Sequence, residues 1–262
     1  MAAGDVAVNI TTNNSRACAK FDGVDDFVDI THNKNQLGAN LTDGFTISAW
    51  ILPRSTGELD GGRILDKSTN SSAANGFRLN LFTTGRLVFG MNAGTNAVSN
   101  NNAYTIGKWV HVLVTVTSAQ IASIYADGIL VDTPTDLVQP ISTITTTNNI
   151  RIGNIAAATT HTFDGAISGV QMWNKVLTAT EIARVVADRP VSDGLIIDVP
   201  LNNDYTDVTG AITNSGSYET ILDDSISRVI SGQRVVASAS GAYIQTGMKG
   251  GQIVSVAITE TP

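Results

Sequence analysis

The 262 residues contain one cysteine, Cys18, so no disulfide can close within the chain. Its neighbours Ala17 and Ala19 make a small apolar setting, which predicts a buried thiol. A thiolate nucleophile would need a histidine beside it, and His32, His111 and His161 are all distant in sequence. Charge is scarce too: Asp, Glu, Lys and Arg make up 15% of residues, against about 25% in an average soluble domain. The balance is −7 with no basic stripe, which argues against nucleic acid and anionic membranes as partners. No stretch approaches the roughly 20 apolar residues of a membrane-spanning helix, so no membrane insertion is expected. Met1 to Asp5 show no basic stretch leading into an apolar one, so no cleaved secretory signal is expected. Also missing are a phosphate-cradling glycine motif, Cys/His pairs at zinc spacing and a Ser-His-Asp order with a nucleophile elbow.

The low charge leaves Thr, Asn, Ser and Gly to make the polar surface, and these suit turns and sheet faces. Strand patterns recur along the chain. Phe45–Ile51 alternates with period two, and in Phe77–Phe82 the residues Phe77, Leu79 and Leu81 share one face. Gly85-Arg86 predicts a turn into Leu87–Gly90, and Asp127-Gly128 a tight hairpin into Ile129–Val131. Trp109, His111, Leu113 and Thr115 fall on one side of another strand. Further strands are expected at 150–152, 166–173 and 195–199. Residues 178–188 break the pattern and predict one short helix. Thr178 can cap it, Glu181 completes a capping box, and Arg189-Pro190 ends it. The expected fold class is all-β, a two-sheet antiparallel jellyroll sandwich. Two regions are expected: a jellyroll over 1–217 and a β-rich extension or docking arm over 218–262.

Four segments carry a resemblance to a known family. They are Ala19–Val28 with its Phe21-Asp22-Gly23 turn, Phe45–Ile51, Gly107–Thr115 with Tyr125–Ile129, and Phe163–Trp173 leading into Leu177, Glu181 and Ile182. Together, over residues 17–190, they resemble the laminin G-like (pentraxin-like) jellyroll branch of the concanavalin A-like lectin/glucanase superfamily. Gly194–Asn203, with Asp204 and Asp207, is also similar to a family segment. The resemblance implies that Trp50 and Trp109 lie in the sandwich core, and the apolar setting of Trp173 predicts the same for it. Ser168 stands where the family often has an acid.

Some members of that superfamily are retaining glucanases, which need two carboxylates roughly 5–5.5 Å apart. The echo of their motif here is Glu58-Leu59-Asp60, with Arg63 in place of the second glutamate. No catalytic residue is therefore assigned, and no enzyme is expected. Calcium wants six to eight oxygens from loops. Asp22, Asp25 and Asp26 are the candidate ligands, with Asp29 in the same segment. These aspartates would equally suit turns whose side chains bond their own backbone. Tyr104, in an Asn-rich loop, is the candidate exposed aromatic for a ligand.

The expected function is a non-enzymatic structural or adhesive module on a phage virion surface, as a capsid decoration or tail component. Its expected partners are other virion or surface subunits, further copies of itself, and a glycan. The alternatives are a secreted carbohydrate-binding lectin and, behind it, a glycoside hydrolase.

Overall fold

The computed structural model describes residues 11–13, 16–30, 37–158, 160–201, 219–223 and 227–229. The first strands are β1 (Thr11–Asn13), β2 (Arg16–Asp22), β3 (Val28–Ile30), β4 (Gly44–Pro53) and β5 (Arg63–Lys67). Then come β6 (Phe77–Phe82), β7 (Arg86–Met91), β8 (Ala97–Val98), β9 (Val110–Thr117) and β10 (Ile121–Ala126). The remainder are β11 (Ile129–Leu130), β12 (Thr135–Asp136), β13 (Ile150–Ile152), β14 (Asp164–Trp173), β15 (Leu195–Val199), β16 (Glu219–Asp223) and β17 (Ser227–Val229). The helices are α1 (Leu37–Asn40) and α2 (Ala179–Val186).

The chain divides into two compact units. In the smaller, β1 pairs antiparallel with β17. The larger, Cys18–Ile221, is a jellyroll sandwich of two sheets. One sheet runs β11-β10-β9-β4-β14-β2-β16, with β12 beside β10 and β15 beside β14; the other runs β3-β13-β5-β6-β7-β8. Asp127 and Gly128, both at positive φ, make the tight turn from β10 into β11. Most of the segment 218–262 lies outside the described residues, as do His32, Asp204 and Asp207.

Period-two alternation selects the faces that meet. Phe45, Ile47, Ala49 and Ile51 of β4 and Val110, Val112, Val114 and Val116 of β9 face Phe77, Leu79, Leu81, Leu87, Phe89 and Met91 of the second sheet. Phe45 touches Phe77 and Phe89 across the sheets, with ring centroids 5.8 and 6.2 Å apart. Each such buried side chain contributes about 1.5–3 kcal/mol of transfer free energy. Cys18 is buried, as its setting predicts.

The tryptophans depart from expectation, because none lies in the sandwich interior. Trp50 is buried on the outer face of the larger sheet, edge-on to His111 at 5.1 Å. Trp109 is half-buried just before β9. Trp173 sits in a second, smaller core with Leu113, Leu177, Ile182, Val185 and Val191, and its Nε1 donates to Val191 O at 2.8 Å. The reason is phase. The valines of β9 occupy the inward positions, so Trp109, His111 and Leu113 belong to the opposite set.

Helix α2 covers that second core. Thr178 caps it, its Oγ1 accepting from Glu181 N while Glu181 Oε2 accepts from Thr178 N at 2.8 Å. Lys175 joins Glu181 at 2.8 Å and also binds Asp193. Hydrogen bonding from Lys175, then from the Thr178 N–H, holds the Glu181 carboxyl down at about 2. That lies below the unfolded value of about 4.3. The stabilisation is therefore complete above about pH 4.3 and is lost as the pH falls toward 2. Thr178→Ala is expected to cost about 1 kcal/mol in urea unfolding at pH 7. Urea midpoints of wild type and Glu181→Gln should differ at pH 7 and converge as the pH falls through that window.

Candidate functional site

Antiparallel pairing brings three loops to one end of the sandwich. β2 ends there at Asp22, opposite Asp164 at the start of β14. β4 ends there at Pro53, opposite Gly165. β3 begins there at Val28, opposite Ile152 at the end of β13. The loops 23–27, 54–62 and 153–163 therefore converge.

Thr162 ties them together. Its Oγ1 donates to Val24 O at 2.9 Å and accepts from Asn154 Nδ2 at 2.8 Å. Its backbone N–H donates to Glu58 Oε2 at 3.3 Å, and Glu58 N donates to Thr162 O at 3.0 Å. Thr162 and Asn154 are both fully buried, so the bond between them forms away from water. Arg54 adds a brace, pairing with Asp164 Oδ1 at 2.8 Å and donating to Phe21 O at 3.3 Å.

The 22–26 loop presents an acidic cup. One carboxylate oxygen from each of Asp22, Asp25 and Asp26 lies within 4.8 Å of the others. Asp22 and Asp25 are exposed and Asp26 is buried. Asp22 Oδ1 accepts from Val24 N at 2.8 Å, and Asp26 Oδ2 accepts from Asp22 N at 2.9 Å. Both alternatives left by the sequence thus have a physical basis: two of the aspartates do shape their own turn. A carboxylate offers about four lone-pair sites, so one backbone bond leaves it able to ligate. Two oxygens on one calcium ion, each at 2.3–2.6 Å, stand at most roughly 5 Å apart. The three carboxylates fit that limit, with the remaining ligands to come from water, backbone or a bound molecule. The tips beside the cup are apolar and exposed: Val24 is 64% and Leu59 70% accessible. Leu59 also holds a left-handed backbone, φ 54°.

Two sequence expectations need correction. Asp29 does not join the cup. It lies on β3, where Arg151 grips it with two bonds of 2.7 and 3.0 Å. Tyr104 is not an exposed aromatic. The turn at Asn102 folds back, Tyr104 N donating to Gly85 O at 3.2 Å, and the ring enters the core while its hydroxyl donates to Phe82 O at 2.8 Å. Burial, then the charge of Asp60, pushes that hydroxyl up to about 12. The Glu58–Asp60 segment is a single 3-10 turn. Its carboxylates brace loops, Glu58 as above and Asp60 Oδ1 accepting from Thr56 Oγ1 at 2.6 Å. His161 follows Thr160 in the same end loop, and burial, then the nearby Arg63, lowers its pKa.

The sequence reading missed Thr162, Asn154 and Arg151. Their roles depend on partners far along the chain, and no local spacing announces them.

The family model described as concanavalin A-like lectin/glucanases superfamily matches residues 22–183. Among solved structures, a Bacteroides ovatus protein named for an inferred carbohydrate-binding role superposes with a TM-score of 0.61 at 17% identity. It matches 80% of this chain, which spans 60% of its length. The heptameric SAP-like pentraxin of Limulus polyphemus gives 0.56 at 15% identity over 84% of this chain and 96% of its own. The CBM40 of Ruminococcus gnavus IT-sialidase, also solved with α2,3-sialyllactose, gives 0.50 at 16% identity over 64% and 96%. No curated protein sequence matches the chain.

Thr162→Val keeps the shape of the clamp and removes its hydroxyl. It leaves Asn154 Nδ2 and Val24 O without that partner, which is expected to cost about 1–3 kcal/mol in denaturant unfolding. Amide exchange over 22–26 should accelerate more than exchange in β4 and β9.

Proposed function

The chain belongs to the concanavalin A-like lectin/glucanases superfamily, and from that premise we propose that it is a non-catalytic module that binds glycans. The observation that carries this reading is the acidic cup at the end of the sandwich, clamped by Thr162 and rimmed by Val24 and Leu59. Polar groups on a hydrogen-bonded loop, beside apolar tips, suit a ligand with hydroxyl edges and apolar faces. The named carbohydrate binding of two structural neighbours supports the same ligand class. Against hydrolysis stands the use of Glu58 and Asp60, whose carboxylates hold loops in place.

Asp22, Asp25 and Asp26 would hold a calcium ion at the cup. When bound, such an ion supplies a positive centre that sugar hydroxyl oxygens can ligate. The carboxylates themselves fix its place, and the Thr162 clamp fixes theirs.

The finer placement within this reading is a phage virion surface, as a decoration or tail subunit presenting the jellyroll outward. A surface built of Thr, Asn, Ser and Gly, and a single buried cysteine, support it. Mass spectrometry of purified particles should find the chain there. Particles of unchanged stability that assemble without it would remove this placement and leave glycan binding standing.

Glycan-array screening of the whole chain with calcium and with chelator tests the function. Binding to at least one glycan class is expected, stronger with calcium. A blank array in both conditions overturns the reading. Calcium should raise the thermal midpoint of wild type, and Asp25→Asn should remove that rise while leaving the midpoint in chelator unchanged. Release of reducing sugar from β-glucans would contradict the non-catalytic assignment.

A further inference from the structure

Two arginines, Arg63 and Arg78, flank the Asp66 carboxylate on the outer face of the six-stranded sheet. Arg63 Nε lies 3.2 Å from Asp66 Oδ2, both side chains almost fully buried. Asp66 Oδ1 already accepts from Ser68 Oγ at 2.7 Å and Ala156 N at 3.1 Å. Arg78 stands opposite Asp66 in the β5–β6 ladder. Its Nε donates to Asn80 Oδ1 at 3.1 Å and its Nη2 to Asn96 Oδ1 at 3.2 Å. Its Nη1, which is buried from solvent, has no acceptor among the described residues.

Four residues along β6, about 13 Å at strand rise, Phe82 is 38% exposed. The Arg86 guanidinium lies over its ring at 4.8 Å. Among the described residues no carboxylate pairs with Arg86. The fourth arginine of this face, Arg151, is matched by Asp29. The face thus sets four guanidinium groups, Arg63, Arg78, Arg86 and Arg151, against two carboxylates, Asp29 and Asp66. This excess stands on a protein whose net charge is −7. Distant acids are screened over about 10 Å at ordinary salt, so a docking anion responds to the local excess.

Gly90 keeps the strip open. A Cβ there would lie 2.6 Å from Asn96 Oδ1 and 3.1 Å from Arg78 Cζ. A side chain there would crowd the Asn96 amide and the guanidinium. Burial lowers Arg78, and brings Arg63 to about 10, yet both stay protonated at neutral pH. Half-buried guanidinium donors with too few acceptors are matched by a planar or tetrahedral oxyanion.

We propose that Arg78, Asn96, Phe82 and Arg86 form a second binding strip that takes the carboxylate or sulfate of an acidic glycan, with a sugar ring seated on Phe82. The inference rests on the glycan-binding reading and names the ligand class within it. It does not involve the acidic cup.

The test uses the whole chain and three polymers: polygalacturonate, which carries carboxylates, dextran sulfate, and neutral dextran. Affinity electrophoresis at low salt should show one acidic polymer bound at least tenfold more tightly than dextran, and which one binds separates carboxylate from sulfate. Arg86→Gln and Arg78→Gln should each weaken that binding about tenfold. Arg184→Gln, a charge control on α2, should leave it unchanged. Arg78 packs against Asp66, so its variant is checked by near-ultraviolet circular dichroism. If it fails to fold, Arg86→Gln on the surface decides alone. Equal binding of dextran and the acidic polymers, no binding of either acidic polymer, or acidic binding unchanged in Arg86→Gln overturns the strip. In all three cases a positive glycan array leaves the broader reading intact, whereas a blank array removes both.

Discussion

The pleat phase of four strands, β4, β9, β6 and β7, decides what this molecule can present to a partner. Their inward set is Phe45, Ile47, Val112, Val114, Phe77, Leu79, Leu87 and Phe89, and it binds the sheets together. A slip of one residue in any of these strands would bring Thr46, His111, Arg78 or Val88 into the interior. Arg78 makes such a slip expensive, because a guanidinium facing an apolar core would lack acceptors. The same phase that fills the core therefore lays the arginines on the outer face. Core and strip are two consequences of one register.

How much of this could be read from sequence follows from range. The strands, the 127–128 turn and the helix with its Thr178–Glu181 capping box are local patterns, and they were legible. The faces of the tryptophans were not. β4 and β9 carry bulky apolar residues in both phases, and the choice between phases is made by the opposing sheet. Asp29 looked like part of the acidic cluster because it lies three residues from Asp26. Its actual partner, Arg151, is 122 residues away. Of the cup, the three aspartates could be named, but the Thr162–Asn154 clamp that shapes it could not. Tyr104 illustrates the limit of composition: an Asn-rich loop predicts exposure, yet its turn closes on Gly85 and delivers the ring to the core.

The Arg63–Asp66 pair shows how irregular geometry makes a site that alternation forbids. Residues three apart on a regular strand point to opposite faces. The β5–β6 register shifts between Arg63 and Leu65, and this irregularity puts Arg63 on the same face as Asp66. Burial lifts the Asp66 carboxyl above its ordinary range while it lowers Arg63, so desolvation outweighs the pair's attraction for both partners. Replacing such a pair by hydrophobic residues of similar volume is often neutral or stabilising, so the pair is weak evidence of stabilisation.

The cup and the strip approach the same end of the sandwich. Leu81 N donates to Gly62 O at 2.9 Å, which sets the Phe82 end of β6 against the loop that carries Leu59. One region is acidic and has room for a hard cation; the other is rich in guanidinium. Opposite signs on neighbouring surfaces give a ligand a direction. A chain bearing acid groups along its length is repelled at a vacant cup and attracted at the strip, so on the glycan reading the strip governs encounter. With a cation seated, the cup would engage hydroxyl oxygens that carry no charge. Salt would then weaken contact at the strip, through screening, more than at the cup, where the ion binds ligands directly. The two dependences can be separated on one protein, which makes the division of labour between loops and sheet a measurable property.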